Sequence, residues 1–357
     1  MAQETSQKIN LPSKQDLNMF HHKQASSASE VIKVTNIKKY FPIKGGLLRR
    51  SVGHVKAVDD VSFAVNSGET LGLVGESGCG KSTLGRVLVR LLDATSGEIS
   101  FKGETITNLS PRKMRSFRKS IQMIFQDPFG SLNTKMSIRQ LIEEPLIVQT
   151  DLSKTERKEK VESMIQKVGL RISDLQKYPH EFSGGQRQRI GIARALIMNP
   201  EIVVCDEAVS ALDVSIQAQV LNLMKDLQEE LDLTYVFISH DLNVVHHMSD
   251  RVAVMYLGRI VEMSSNEDIY ARPLHPYTQS LLQAIPTVSE TENDRQVTIT
   301  GDVPNPANPP SGCAFRTRCP FASEICSQKR PELQEVESGH FVACHLYNKD
   351  FNEKMTK

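Results

Sequence analysis

Residues Gly75, Glu76, Ser77, Gly78, Cys79, Gly80, Lys81 and Ser82, followed by Thr83, have the spacing G-x-x-x-x-G-K-[ST] of a loop that wraps phosphate groups. Its glycines let the backbone curl until successive N–H groups point at phosphate oxygens. Lys81 supplies a cation for the β- and γ-phosphates, and the Ser82 hydroxyl is a hard oxygen ligand for Mg²⁺. Asp206 and Glu207 add the complementary chemistry: one carboxylate to hold Mg²⁺ through water, the other to act as general base on an attacking water. Gln126 stands where its side-chain oxygen reaches a metal ion or that water, and His240 is a candidate sensor of the γ-phosphate. A second run, Ser183-Gly184-Gly185-Gln186, opens a helical stretch and offers another set of unpaired N–H groups.

These side chains need particular elements behind them. The apolar run 71–74 before the loop and the helical pattern 84–92 after it predict the strand and helix that a phosphate loop requires. Apolar runs at 121–125, 202–205 and 234–239 each end on one of the candidate residues, as expected when parallel strands deliver polar groups to one edge of an open α/β sheet. A helix over 187–198 follows the serine-glycine run and stops at Asn199-Pro200, and another is predicted over 216–230 after Ser210-Ala211-Leu212-Asp213. Strands are expected at 31–37, 55–65 and 98–101, and the strands 252–256 and 259–263 should complete the sheet. Helical patterning dominates 138–178, where Met164, Val168 and Leu170 share one face. Tyr40 and Phe41 fall in an expected loop after the first strand, where a flat ring either stacks on an adenine or joins the core. The basic helix 111–119 reads as a solvated face.

A chain of 357 residues suits one large nucleotide-binding domain with an appendage. No apolar run approaches the roughly 18 to 20 residues of a membrane span. The formal net charge of +1 argues against a general nucleic-acid binder, and no direct nucleic-acid partner is expected. Residues 1–30 are polar, rich in Ser, Gln and Lys, and lack an apolar stretch, so they are expected to form a disordered extension and not a signal peptide; a cytoplasmic location follows. Of six cysteines, Cys79 and Cys205 need only packing partners. Cys313, Cys319, Cys326 and Cys344 crowd into the C-terminal segment, where in a reducing compartment four thiols favour a metal over disulfides, although the short C-x2-C pairs of common zinc modules are missing.

In order and approximate spacing these motifs resemble the ATP-binding cassette (ABC) ATPases over residues 31 to about 265. The resemblance implies an α/β fold of the P-loop NTPase type, with a RecA-like core, a β-rich subdomain and a helical insertion, plus a small Cys-containing C-terminal extension. The corresponding division is a disordered extension 1–30, a nucleotide-binding domain 31–270 with its helical subdomain about 127–195, and a C-terminal extension 271–357. It further implies ATP and Mg²⁺ as ligands and a head-to-tail pair of cassettes. In such a pair Ser183, Gly184, Gly185 and Gln186 serve the partner's ATP. Phe41, with Tyr40 as runner-up, becomes the adenine-stacking ring, Gln126 the coupling residue to membrane subunits, Glu207 the base, His240 the switch, and Asp213 part of the loop beyond the acidic pair.

A narrower resemblance, to the oligopeptide and dipeptide importer ATPases and to their second, F-type subunit, rests on other segments. They are Phe125-Gln126-Asp127-Pro128-Phe129 with Ser131-Leu132-Asn133, the run 214–220, His275-Pro276-Tyr277-Thr278 with Leu281-Leu282, and the tail with Gly312-Cys313 and Arg318-Cys319-Pro320. It implies a non-identical second ATPase, two transmembrane permease subunits, an extracytoplasmic substrate-binding protein, and a peripheral place on the cytoplasmic face of the cell membrane. It also implies an iron–sulfur cluster at the four clustered cysteines, with zinc or unmetallated thiols as the alternatives. Nickel or another small solute is an alternative cargo. A soluble cassette ATPase acting on nucleic acid or ribosomes is a second reading, opposed by the single phosphate loop, the single Ser-Gly-Gly-Gln run and the lack of an internal repeat. One departure stands out: Ala208 follows the acidic pair where the family usually has proline. It loosens the turn aiming Glu207 and Asp213 but removes no reacting group, so activity should survive.

Overall fold

The computed structural model of the protein describes residues 29–45, 50–284 and 301–347. The expected disordered extension therefore lies, up to residue 28, outside the described residues. Two sheets share the chain. The first is antiparallel, with strands β1 (Glu30–Gly45), β2 (Arg50–Asn66), β4 (Ser96–Phe101) and β5 (Glu104–Thr105) in the order β2-β1-β4-β5. The second has eight strands in the order β11-β12-β10-β9-β3-β8-β7-β6: β3 is Thr70–Val74, β6 Ile121–Ile124, β7 Ile202–Asp206, β8 Thr234–Ile238, β9 Arg251–Tyr256, β10 Arg259–Ser265, β11 Gln334–Glu337 and β12 His340–Val342.

Every residue of β3, β7 and β8 is buried. These three strands pair in parallel with covered faces, which is why they read as unbroken apolar runs instead of alternating ones. Ile202, Val204, Val236 and Ile238 pack toward the antiparallel sheet and helix α1 (Lys81–Leu88), whereas Val203, Cys205, Tyr235 and Phe237 face the other core. That other core is closed by α2 (Ile138–Gln149), α3 (Lys154–Lys167), α4 (Gly184–Leu196) and α5 (Val214–Leu231). Ser137 and Ser153 start α2 and α3 with reciprocal capping boxes to Gln140 and Glu156. Beyond β8 come α6 (Leu242–Met248) and, after β10, α7 (Pro276–Gln283).

Four sequence expectations change. Tyr40 and Phe41 are not in a loop: β1 runs on through bulges to Gly45, pairing Tyr40 with Lys56 and Phe41 with Val55. The helix after the phosphate loop begins at Lys81, three residues earlier than its apolar pattern, because the loop's backbone and not a hydrophobic face sets its start. Met164 is buried in α3, but Val168 is the C-cap and Leu170 lies past the helix end; both are buried by the turn that follows. Finally, 252–256 and 259–263 do not complete the main sheet. Strand β12 pairs with β10, Glu262 with Val342 and Met263 with Phe341, and β11 pairs with β12, so chain from the C-terminal segment extends the sheet that carries the phosphate loop.

Candidate functional site

The parallel register fixes where the chemistry gathers. Leu73 pairs with Ile238, Ile238 with Asp206, and Cys205 with Ile124, so β3, β8, β7 and β6 end along one edge. Directly beyond those ends stand the loop 75–80, His240, Asp206-Glu207 and Gln126. Residues 77–83, Gln126, Glu207 and His240 line one cleft of about 440 Å³, which Val55, Lys56, Ala57, Leu257, Gly258 and Pro306 also line. A crevice outside the carboxyl ends of parallel strands is where open α/β sheets bind ligands.

The loop is shaped to leave donors for an anion. Gly80, the N-cap of α1, has φ 110° and no side-chain cap, and a Cβ there would stand 2.0 Å from the Ala57 carbonyl oxygen. Only glycine takes both the conformation and the approach. Lys81 is buried, and its Nζ donates to the carbonyls of Gly75 (2.6 Å) and Glu76 (3.1 Å), arched back under the loop. The Cys79 thiol is buried beneath it, and burial pushes its pKa up.

Both carboxylate oxygens of Asp206 are buried without a hydrogen-bond partner among the described residues. Burial raises its carboxyl above the usual carboxylate range, opposed by the neighbouring Ser82 hydroxyl and by the Arg86 guanidinium 3.9 Å away. An orphaned carboxylate beside a serine hydroxyl is a donor set that fits Mg²⁺, which would satisfy both. Glu207 has a left-handed φ of 49°, is held by its N–H donating to the Ile238 carbonyl (2.9 Å), and is mostly buried. Its Oε2 accepts from Gln126 Nε2 at 2.7 Å and its Oε1 lies 3.3 Å from His240 Nδ1. Buried Ala208 takes the proline position without disturbing this grip, since the bonds aiming Glu207 come from Gln126, His240 and β8.

Other predicted residues lie elsewhere. Ser183 caps α4, its Oγ accepting from the Gln186 N–H (3.4 Å) while Gln186 Oε1 accepts from the Ser183 N–H (3.0 Å). Gly184 follows Ser183, and a Cβ on Gly185 would stand 2.3 Å from Ile216 Cγ2, so glycine there lets α4 and α5 meet. None of residues 183–186 lines the cleft of this same chain, and Asp213 is exposed at the N-cap of α5. Tyr40 and Phe41 are also outside the cleft's lining. The Tyr40 hydroxyl is committed to Asp59, which also takes Arg259 (2.9 Å), whereas the Phe41 ring is exposed beside Lys39, opposite the lining residue Val55. Cys313, Cys319, Cys326 and Cys344 are unpaired and line one small cavity with Phe315 and His345. Burial pushes the Cys313 thiol up to about 11 and Cys344 to about 12. The donor type suits a soft metal, but among the described residues no group of three or more His, Cys, Asp or Glu side chains is placed to hold one, so the expected cluster is not shown.

Sequence reasoning missed the hold on Glu76. Arg318 grips the Glu76 carboxylate with both terminal nitrogens (2.8 and 2.9 Å), and the Tyr277 hydroxyl accepts from the Glu76 N–H (2.9 Å). The Ser-Gly-Gly-Gln run and the acidic pair could be found by spacing, but a pair 242 positions apart leaves no periodic signal.

With this geometry in view, comparison with known proteins is specific. A model described as ABC transporter matches residues 58–210, and one described as Oligopeptide/dipeptide transporter, C-terminal region, matches residues 261–326. The chain is similar to the oligopeptide transport ATP-binding protein AppF of Bacillus subtilis, 56% identical over 91% of this chain and 99% of that one. It is also similar to the dipeptide transport ATP-binding protein DppF of Escherichia coli, 48% identical over 92% and 98%. Among solved structures, the ATP-binding cassette MJ0796, in a dimeric post-hydrolysis state bound to ADP and Pi, matches with TM-score 0.59 and 27% identity, covering 66% of this chain and 98% of that one. The chain belongs to the ABC transporter ATP-binding proteins, ATPases of the P-loop fold, and to the group of them that carries the oligopeptide/dipeptide transporter C-terminal region.

Proposed function

We propose that this protein is the ATP-hydrolysing subunit that energises import of oligopeptides or dipeptides through an ABC transporter. The observation that carries the hydrolytic part is the Glu207 carboxylate held between Gln126 and His240 at the mouth of the phosphate-loop cleft. In this role the loop N–H groups and Lys81 bind the ATP phosphates, Ser82 and Asp206 would hold Mg²⁺, and Glu207 takes a proton from the attacking water. Mg²⁺ supplies charge neutralisation at the β- and γ-phosphates. Phe41, half turned to solvent beside the cleft, is the better placed of the two aromatic candidates for the adenine.

The cargo reading is supported by the match of residues 261–326 and by the peptide-transport names of relatives as similar as AppF. The chain pairs with a second, non-identical cassette, so that Ser183, Gly184, Gly185 and Gln186 close over the partner's ATP; the start of α4, with exposed Ser183 and Gln186 outside the lining of this chain's own cleft, supports that role. Two transmembrane permease subunits and an extracytoplasmic binding protein complete the assembly, with this chain peripheral on the cytoplasmic face of the membrane. Among the described residues no helix is long and apolar enough to cross it. The cavity shared by Cys313, Cys319, Cys326 and Cys344 is where an iron–sulfur cluster, or zinc, would sit after the thiols draw together.

Peptide uptake by vesicles containing the reconstituted complex tests the reading. ATP-dependent uptake of dipeptides or oligopeptides that stops with Glu207→Gln is expected; uptake of nickel with no peptide uptake would overturn the cargo. Iron and zinc analysis of protein prepared without oxygen tests the cysteine cavity, and absence of both removes the metal.

A further inference from the structure

The phosphate loop is gripped from outside the nucleotide-binding core. Glu76 is its second residue, and Gly75 and Glu76 supply the two carbonyls on which Lys81 Nζ rests. The N–H of Glu76 is held by the Tyr277 hydroxyl on α7, and its carboxylate by a two-pronged ion pair with Arg318. Arg318 is 7% exposed, lies over the Tyr256 ring at 5.9 Å, and is flanked by the packed rings of Tyr256, Tyr277 and Phe315. Within the same C-terminal portion, Pro306 reaches the cleft wall.

From this geometry we infer that Arg318 and Tyr277 are positioning residues for ATP: they fix the peptide of Glu76, and through it the perch from which Lys81 swings to the phosphates. A forked guanidinium on a carboxylate sets direction as well as distance, and with Arg318 buried and Glu76 only partly exposed the pair holds the loop in one geometry. Without the fork, Glu76 turns to water and the loop must be ordered anew by each nucleotide, a cost that appears as lost affinity. The C-terminal portion is thereby part of the ATP site, and any event that shifts the chain around residues 313–319 is felt at Lys81.

The test is ATP binding and steady-state hydrolysis by the full chain carrying Arg318→Gln, Glu76→Gln, both together, Arg318→Lys, or Tyr277→Phe. Arg318→Gln should weaken ATP binding ~10-fold, with KM rising more than kcat falls. The double variant should be no weaker than Arg318→Gln alone, because both remove one interaction. Arg318→Lys, keeping charge without the fork, should recover only part of the affinity. Tyr277→Phe removes one hydroxyl from a packed ring and should weaken ATP measurably even if Arg318→Gln does not fold. Folded Arg318→Gln or Tyr277→Phe protein with wild-type ATP affinity, or strictly additive losses in the double variant, would overturn the inference and leave the clamp as packing alone.

Discussion

Two helix N-termini in this molecule, those of α1 and α4, are both anion sites by sequence, and they are built in opposite ways. At α1 the cap is Gly80 with a left-handed backbone and no side-chain acceptor, so its N–H groups are left for a ligand in a lined cleft. At α4 the cap is Ser183, and the reciprocal bonds between Ser183 and Gln186 already occupy donors of the first turn. The first end is completed inside the chain by Lys81, Asp206, Glu207 and His240; none of residues 183–186 of the second end lines that cleft. One is a site within the chain; the other is, in the role proposed above, a surface that meets phosphates brought by a second cassette.

The most damaging way to probe that contrast is Glu207→Gln, which removes the base and keeps the loop. Turnover should fall ~10²- to 10⁴-fold with ATP still bound, read by hydrolysis and nucleotide binding side by side. Retained hydrolysis would move the base elsewhere. Gly80→Ala attacks the α1 end itself: a Cβ 2.0 Å from a backbone oxygen forces the loop open, and ATP affinity should drop ~10²-fold. Equilibrium binding of a fluorescent ATP analogue measures it.

Acid should destabilise the folded chain through His275, the cap of the helix whose Tyr277 holds the loop of the α1 end. His275 caps α7, its Nδ1 accepting from the Tyr277 N–H (3.0 Å), and burial lowers its pKa from 6.5 to about 4, with Glu262 pulling the other way. Between those values the unfolded chain holds a proton that the folded chain excludes, so stability falls as pH drops from 6.5 and levels off below about 4. The loss amounts to about 3 kcal/mol. Urea unfolding across this range should show the slope, and His275→Gln should flatten it. The smallest effect belongs to the α4 end. Ser183→Arg should leave ATP affinity at this chain's own Lys81 intact and lower hydrolysis at the partner's site ~10-fold, measured in single turnovers with defined mixed dimers. Damage confined to the Lys81 site would reverse the comparison.

Much of the α1 end was legible in the sequence. A phosphate loop is specified by local backbone geometry, and the buried parallel strands that feed it appear as apolar runs, so Lys81, Gln126, Asp206-Glu207 and His240 could each be assigned to a strand end. Tyr40 was harder to read, because a bulged strand carries no clean alternation and its hydroxyl partner, Asp59, comes from the neighbouring strand. The cysteines were legible as a cluster, and the structure does bring them to one cavity, without the spacing of a metal site among the described residues.

The sequence by itself determined the chemistry on offer, because glycines at set intervals and a serine cap act through bonds within a few residues, and the carboxylates follow apolar runs that read as strands. Tertiary structure decided which groups meet. Parallel register put four strand ends on one edge. Pairing of β12 with β10 drew the C-terminal portion onto the main sheet, and Arg318 closed on Glu76 across 242 positions. Such contacts depend on how distant segments pack, and no local spacing rule encodes them.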